Sequence, residues 1–207
     1  MSNVPVDEFV QEMSKETKEL IIQSTAVNFT AFKGVQDGNN TFIGSKTEVA
    51  LLLFSRERLA ARPVQQEREN ANIIQQIPFN SANKFMATII KLPNGKFRAY
   101  VKGASEIVLD TYTRIIAGPS GELSSIEMTD TDRKFFKWTI ASYADQTLRT
   151  IGSTYRDFDT WPPEGASSQE DPHAAHFAKI HQNMTLLTIF GIKDPLRLPV
   201  IDALKDC

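Results

Sequence analysis

Apolar residues in the first 28 positions recur at helical spacing, with Phe9, Val10 and Met13 followed by Leu20, Ile21 and Ile22. This pattern predicts one or two helices. After Thr41-Phe42-Ile43-Gly44, Ser45 is placed as the N-cap of a helix through KTEVALLLFSRERLA,. Pro63 is expected to end that helix, and the polar residues 62–72 to form a loop. In the centre the period drops to two. Ile73 to Phe79 reads as a strand, and KFMATIIK (84–91) and KFRAYVK (96–102) flank Leu92-Pro93-Asn94-Gly95, where Asn-Gly is a strong hairpin signal. Gly103 is expected to interrupt the second strand, with a helix starting in ASEIVLDTY directly after it.

Ile115-Ile116 and Leu123 bracket AGPSGE as a further short hairpin. Thr129 and Asp132 have capping-box spacing before a helix running to about Gln146,. LRTIGSTYRDF (148–158) alternates as a strand, and WPPEGASSQEDP (161–172) is a loop expected to be the most mobile stretch,. A short helix near 174–182 and a buried strand, MTLLTIFGI, complete the pattern, after which KDPLRLPVIDALKDC begins another helix. No internal repeat is visible. The predicted fold class is α/β (α+β), a mainly antiparallel twisted sheet flanked by helices.

Composition narrows the function classes. Of 207 residues, 41% are apolar and 23% charged, which suits a folded globular chain,. The net charge of −2 gives no general field for nucleic acid or anionic lipid,. An anion must then be held by a few local cations, which suits ATP better than DNA. The single cysteine, Cys207, precludes an internal disulfide and suits a reducing compartment such as the cytosol,. The start MSNVPVDEF lacks the pattern of a secretory signal, and the longest apolar runs fall short of a membrane span,. Nothing in the sequence is expected to cross or touch a bilayer.

The candidate chemistry lies in the central strands. A purine needs a flat apolar face with a few convergent polar groups, and its phosphates need fixed cations. Phe79 ends a strand and can stack on a base,. Lys84 follows where the next strand begins, and Met86 shares its strand face and can meet the other ring edge,. Lys102 ends the hairpin partner, and Gly103 removes a side chain where a ligand could approach,. The Asn94-Gly95 turn brings Lys84 and Lys102 to one end of the sheet. His173, His176 and His181 have spacing for one helix face but no accompanying cysteine or motif carboxylate, and are read as solvated rather than metal-binding,.

Five segments carry a family resemblance. PFNSANKFM resembles the P-type ATPase signature P-F-x-S-x-x-K-x-M, and KGASE its K-G-A-x-E box. GSKTEVALL is similar to G-x-x-T-E-x-A-L, LRTIGSTYRDF to L-R-T-I-x-x-A-Y-R-D-F, and GIKDPLR to the D-P-x-R hinge. They occur in the family's order across nearly the whole chain, which resembles the nucleotide-binding (N) domain of P-type calcium pumps of plasma-membrane and fungal vacuolar type.

The resemblance implies that Phe79 stacks on adenine, that Lys84 and Lys102 line its pocket, and that Glu48, beside Thr47, accepts a hydrogen bond from the base. Arg149 would reach the phosphates, with Asp145 as an alternative charge partner for it. Asp194, Pro195 and Arg197 would form the hinge, dividing the chain into a nucleotide-binding domain (1–193) and the start of the return into a phosphorylation domain (194–207). Phe29 and Thr154 depart from the residue sizes usual in the family, and RLPV from its usual exit.

The family transfers phosphate to an aspartate in D-K-T-G-T and holds Mg²⁺ through G-D-G-x-N-D. Neither motif occurs here. The chain is therefore expected to be a piece of a pump, with Met1 read as an added start, that contains no catalytic residue of its own. It would bind ATP or ADP as a monomer without turnover, Mg-ATP being the form used by the parent. Its partners would be the phosphorylation and actuator domains of that parent, at the cytosolic face of a membrane. The alternatives are a stand-alone nucleotide sensor, a protein-interaction module using residues 159–172, or the N domain of a pump for another cation.

Overall fold

The computed structural model describes residues 4–36, 39–81, 84–118 and 120–193. The chain opens with α1 (Val6–Glu12) and α2 (Lys15–Val27), the two helices that the apolar spacing predicts. Ser14 caps α2, its hydroxyl accepting the Thr17 N–H. A hairpin that the sequence pattern does not announce follows, β1 (Phe32–Gln36) paired with β2 (Asn39–Ile43) in a separate two-stranded sheet. A Cβ at Gly34 would lie 2.4 Å from the tip of the Ile43 side chain, which would have to move aside. Next comes α3 (Lys46–Arg58), with Ser45 as the expected cap.

Pro63 does not end α3. That helix stops at Arg58, the chain turns at Ala60 in the left-handed region (φ 55°), and Pro63 caps the start of α4 (Val64–Asn70). The expected loop 62–72 is thus largely helical. No residue of α4 is buried, so there was no apolar stripe to read. Polar contacts fix it instead. Arg68 donates from Nε to the Ala26 carbonyl at 2.6 Å and from Nη2 to Phe29 at 2.8 Å, capping the end of α2,.

The main sheet uses β3 (Asn72–Asn80), β4 (Phe85–Lys91) and β5 (Phe97–Ala104). The one-turn α5 (Ser105–Val108) follows, then β6 (Tyr112–Ile116), β7 (Ser125–Glu127) and α6 (Asp130–Asp145). It finishes with β8 (Leu148–Phe158), the one-turn α7 (Phe177–Ile180) and β9 (Met184–Lys193). The seven strands run in the order β3-β4-β5-β8-β9-β6-β7. Every neighbouring pair is antiparallel except β6 with β9. The α/β class with a mainly antiparallel sheet is therefore observed.

Gly103 does not interrupt β5, which continues in register against β8 as far as Ala104. The β4–β5 hairpin pairs Phe85 with Gly103 and Met86 with Lys102, so Lys84 and Lys102 share one end of the sheet. Alternation along these strands sorts two cores. Ile90, Tyr100 and Leu187 pack with Leu20, Ile21 and Val27 of α2 on one face. Ala87, Val101 and Leu186 pack with Val108 and Leu109, and with Phe136 and Ile140 of α6, on the other,.

The 161–172 loop and the residues just after it make contacts with the sheet. Gln75 donates to the Ala175 carbonyl at 3.0 Å and accepts from its N–H at 2.9 Å, a side chain standing in for a neighbouring strand. Ala166 and Ala175 are buried, and Trp161 meets Phe158 edge-on at 5.7 Å. Among the described residues, no helix is long and apolar enough to cross a membrane.

Candidate functional site

A cleft of about 1140 Å³ opens where the β4–β5 end of the sheet meets α3, α5 and α6. Seven of the eight sequence-predicted binding residues line it: Phe79, Lys84, Lys102, Gly103, Arg149, Glu48 and Thr47. Met86 does not. It is 2% exposed and packed below the surface, outside the cleft lining. The reason lies in register: β4 begins at Phe85, so Lys84 belongs to the preceding turn and Met86 is already inside the sheet. Asp194, Pro195 and Arg197 lie outside the described residues.

The inner end is built on the first turn of α3. Ser45 accepts the Glu48 N–H at 3.2 Å, which starts the helix and turns the Glu48 side chain inward,. Its Oε1 accepts from Lys102 Nζ at 2.7 Å and from the Thr30 N–H at 3.2 Å. Its Oε2 accepts the Thr30 hydroxyl at 2.9 Å and the Ala31 N–H at 3.0 Å. One carboxylate thereby ties α3, the start of the β1 hairpin and β5 together. The Lys102 ammonium also lies 3.2 Å from the centre of the Phe29 ring, a cation–π distance.

Burial governs the charges here. It pulls Lys102 down to about 8, against the opposing effects of the hydrogen bond and charge of Glu48; the nearby Arg68 adds to the lowering,. For Glu48 burial acts upward, yet the Lys102 contact and the Thr30 donors outweigh it, and the carboxyl is held below its ordinary range.

The outer rim is open. Phe79 is the penultimate residue of β3, with 60% of its surface exposed. Lys84 sits at φ 55°, its N–H bonded to the Asn80 carbonyl at 2.6 Å, and it lines the same cleft as Phe79. Gly103 is needed for a reason other than ligand access, since a Cβ there would lie 2.7 Å from the Lys84 carbonyl oxygen. Its missing side chain lets the turn close over β5. Arg149, exposed near the start of β8, donates to the Thr47 hydroxyl at 3.3 Å rather than pairing with Asp145.

The opposite wall was missed from sequence. Lys137, Ile140, Ala141 and Ala144 of α6 face the cleft, and Glu106 and Asp110 flank them. The signal was present as i, i+3, i+4, i+7 spacing on a helix whose Thr129–Asp132 capping box is formed as expected,. Of the histidines, His173 and His176 are exposed. His181 is not merely solvated: its ring stacks on Phe177 at 4.6 Å.

An exposed aromatic face and several cationic side chains share one roomy, largely apolar cleft on an α/β domain. The family profile described as "P-type ATPase, cytoplasmic domain N" matches residues 16–199, and the chain belongs to that family. Among its relatives, it is 36% identical over 200 residues to Calcium-transporting ATPase 2 of Cryptococcus neoformans, covering 94% of this chain and 14% of the relative. It is 35% identical over 201 residues to Calcium-transporting ATPase 2 of Schizosaccharomyces pombe, covering 95% and 15%. With Plasma membrane calcium-transporting ATPase 3 of rat it shares 34% identity over 166 residues, covering 80% and 12%. The chain thus spans a small part of the length of each.

Proposed function

We propose that this cleft binds ATP or ADP and presents the nucleotide for phosphoryl transfer to an aspartate carried elsewhere in a parent calcium-transporting ATPase. The observation that carries this reading is the exposed Phe79 ring sharing one cleft with Lys84, Lys102 and Arg149. Phe79 offers its face to adenine, and Lys84 and the Lys102–Glu48 pair bound the edges of the base. A base amine reaches Glu48 by displacing a donor such as the Thr30 hydroxyl, because each carboxylate oxygen already accepts two bonds. Arg149, a permanently charged fork, serves the phosphates.

In this reading residues 1–193 form the nucleotide-binding domain and 194–207 lead toward the phosphorylation domain, with Asp194, Pro195 and Arg197 as the hinge. The parent would be a membrane pump, and this domain would lie on its cytosolic side as a monomeric unit. Phosphoryl transfer is mostly positioning and charge neutralisation around an acceptor. Acceptor and Mg²⁺ would both be supplied by the rest of the parent, so the isolated chain would bind without turnover. With half of the triphosphate left in solvent, the expected dissociation constant is on the order of 0.1 to 1 mM.

Isothermal titration with ATP, ADP and GTP tests the reading, with phosphate release followed in parallel. Saturable adenine-nucleotide binding in that range without phosphate release is the expected outcome. Micromolar affinity, no binding, or release above buffer would count against it.

A further inference from the structure

We propose that Phe29 is a positioning residue for the nucleotide site, its ring face holding the Lys102 ammonium in place at the inner end of the cleft. The inference rests on the nucleotide reading above and adds a residue that does not itself line the cleft. An ammonium has three donors and no acceptor. Among the described residues Lys102 has one hydrogen-bond partner, Glu48 at 2.7 Å, while its Nζ lies 3.2 Å from the Phe29 ring centre. The negative face of an aromatic ring attracts a cation without taking a hydrogen bond from it. The remaining donors are thus left for a ligand.

The ring is fixed from both sides in sequence. Phe29 is buried at 6% exposure, and Arg68 donates to its carbonyl at 2.8 Å. The next two backbone N–H groups, of Thr30 and Ala31, donate to the same Glu48 carboxylate that binds Lys102. The cation, the carboxylate and the ring backbone therefore form one closed set of contacts. If the ring is lost, the ammonium keeps one partner and a buried stem.

Position here also decides charge. Burial holds Lys102 at about 8, so a modest loss of stabilisation moves its titration into the neutral range,. Charged groups acting on it are Glu48 from α3 and Arg68 from α4, while Lys84, Arg149, Lys137, Glu106 and Asp110 share the cleft. Among the described ionised side chains that act on it, only Glu48 opposes the effect of burial.

The experiment compares the full chain with Phe29→Leu, which keeps apolar bulk without a π face, and with Phe29→Tyr, which keeps the face. Lysine ¹³Cε resonances followed against pH give the Lys102 titration in nucleotide-free protein. Phe29→Leu should lower that midpoint by about one pH unit, and Phe29→Tyr should leave it near the wild-type position. ATP affinity should fall several-fold in Phe29→Leu near pH 8 and recover toward wild type near pH 6, where Lys102 is charged in both.

An unmoved midpoint, or equal shifts in Leu and Tyr variants, would overturn the proposal. Should Phe29→Leu not fold, the wild type still decides. Lys102 ε-methylene protons must show an upfield ring-current shift, and their absence from that region would also overturn it. Failure of wild-type protein to bind ATP would sink the nucleotide reading alone, since the Lys102 titration is read without ligand.

Discussion

At the inner end of the cleft, the Lys102 and Glu48 side chains are 12% and 11% exposed, and both Glu48 oxygens accept two hydrogen bonds. At the rim, Phe79 is 60% exposed, and Lys84 and Lys137 have no ion-pair or hydrogen-bond partner from their side chains among the described residues. The inner end is assembled when the chain folds, whereas under the proposed function the rim would gain its contacts from the ligand. Substitutions at the inner end should therefore appear first as lost stability, and those at the rim as lost affinity with stability intact.

The sharpest break comes from Glu48→Ala. It leaves a buried ammonium and the Thr30 and Ala31 donors without their acceptor, and should cost about 3 kcal/mol or more in a urea melt,. A mild effect, near that of a surface substitution, would show that the pair is hydrated and the inner end not preformed.

Next in size is the pH dependence of stability. Lys102 titrates at about 8 in the folded chain against an ordinary 10.5. Between those values the unfolded chain holds a proton that the folded chain has released, so this group's contribution to stability rises with pH. The slope reaches up to about 1.4 kcal/mol per pH unit. Glu48 acts in the other window, its contribution present above its ordinary value of 4.5 and lost as pH falls through the lowered folded value,. Urea midpoints measured from about pH 7 to 10 should show the rise in wild type and lose it in Lys102→Met.

At the rim, Phe79→Ala should leave stability within about 0.5 kcal/mol of wild type, because the ring is already exposed,. Loss of stacking should weaken ATP binding by roughly ten-fold or more. The smallest of the four effects belongs to Arg149→Gln. About ten-fold is expected for ATP, and little for AMP, if the guanidinium meets the outer phosphates. Equal losses for ATP and AMP would move Arg149 to the base end.

How much of this was legible in the chain follows the same division. The rim residues sit in short local signals, a strand end, an Asn-Gly hairpin and a strand-to-helix turn, and register alone put Lys84 and Lys102 at one end. Helices with an apolar stripe or a cap were legible too, as α2, α3 and α6 show. What stayed hidden depends on contacts between distant residues. The Glu48 bonds to Thr30, Ala31 and Lys102 span 17 to 54 positions. Helix α4 hangs on Arg68 reaching back to α2, with no apolar periodicity of its own. Met86 lies inside the sheet rather than on the cleft wall, since the positive φ at Lys84 delays the start of β4. The structure also adds a reason why Gly103 matters, a backbone crossing beside the cleft that it lines.

The central claim is that Phe79, Lys84 and Lys102 form one nucleotide pocket. A chemical-shift titration of the labelled chain with ATP tests it directly. The account predicts saturable shifts at Phe79, Lys84, Gly103 and Lys102, extending to Arg149 with ATP but weaker there with AMP. If ATP leaves Phe79, Lys84 and Lys102 unmoved at millimolar concentration, the pocket does not hold nucleotide and the claim fails.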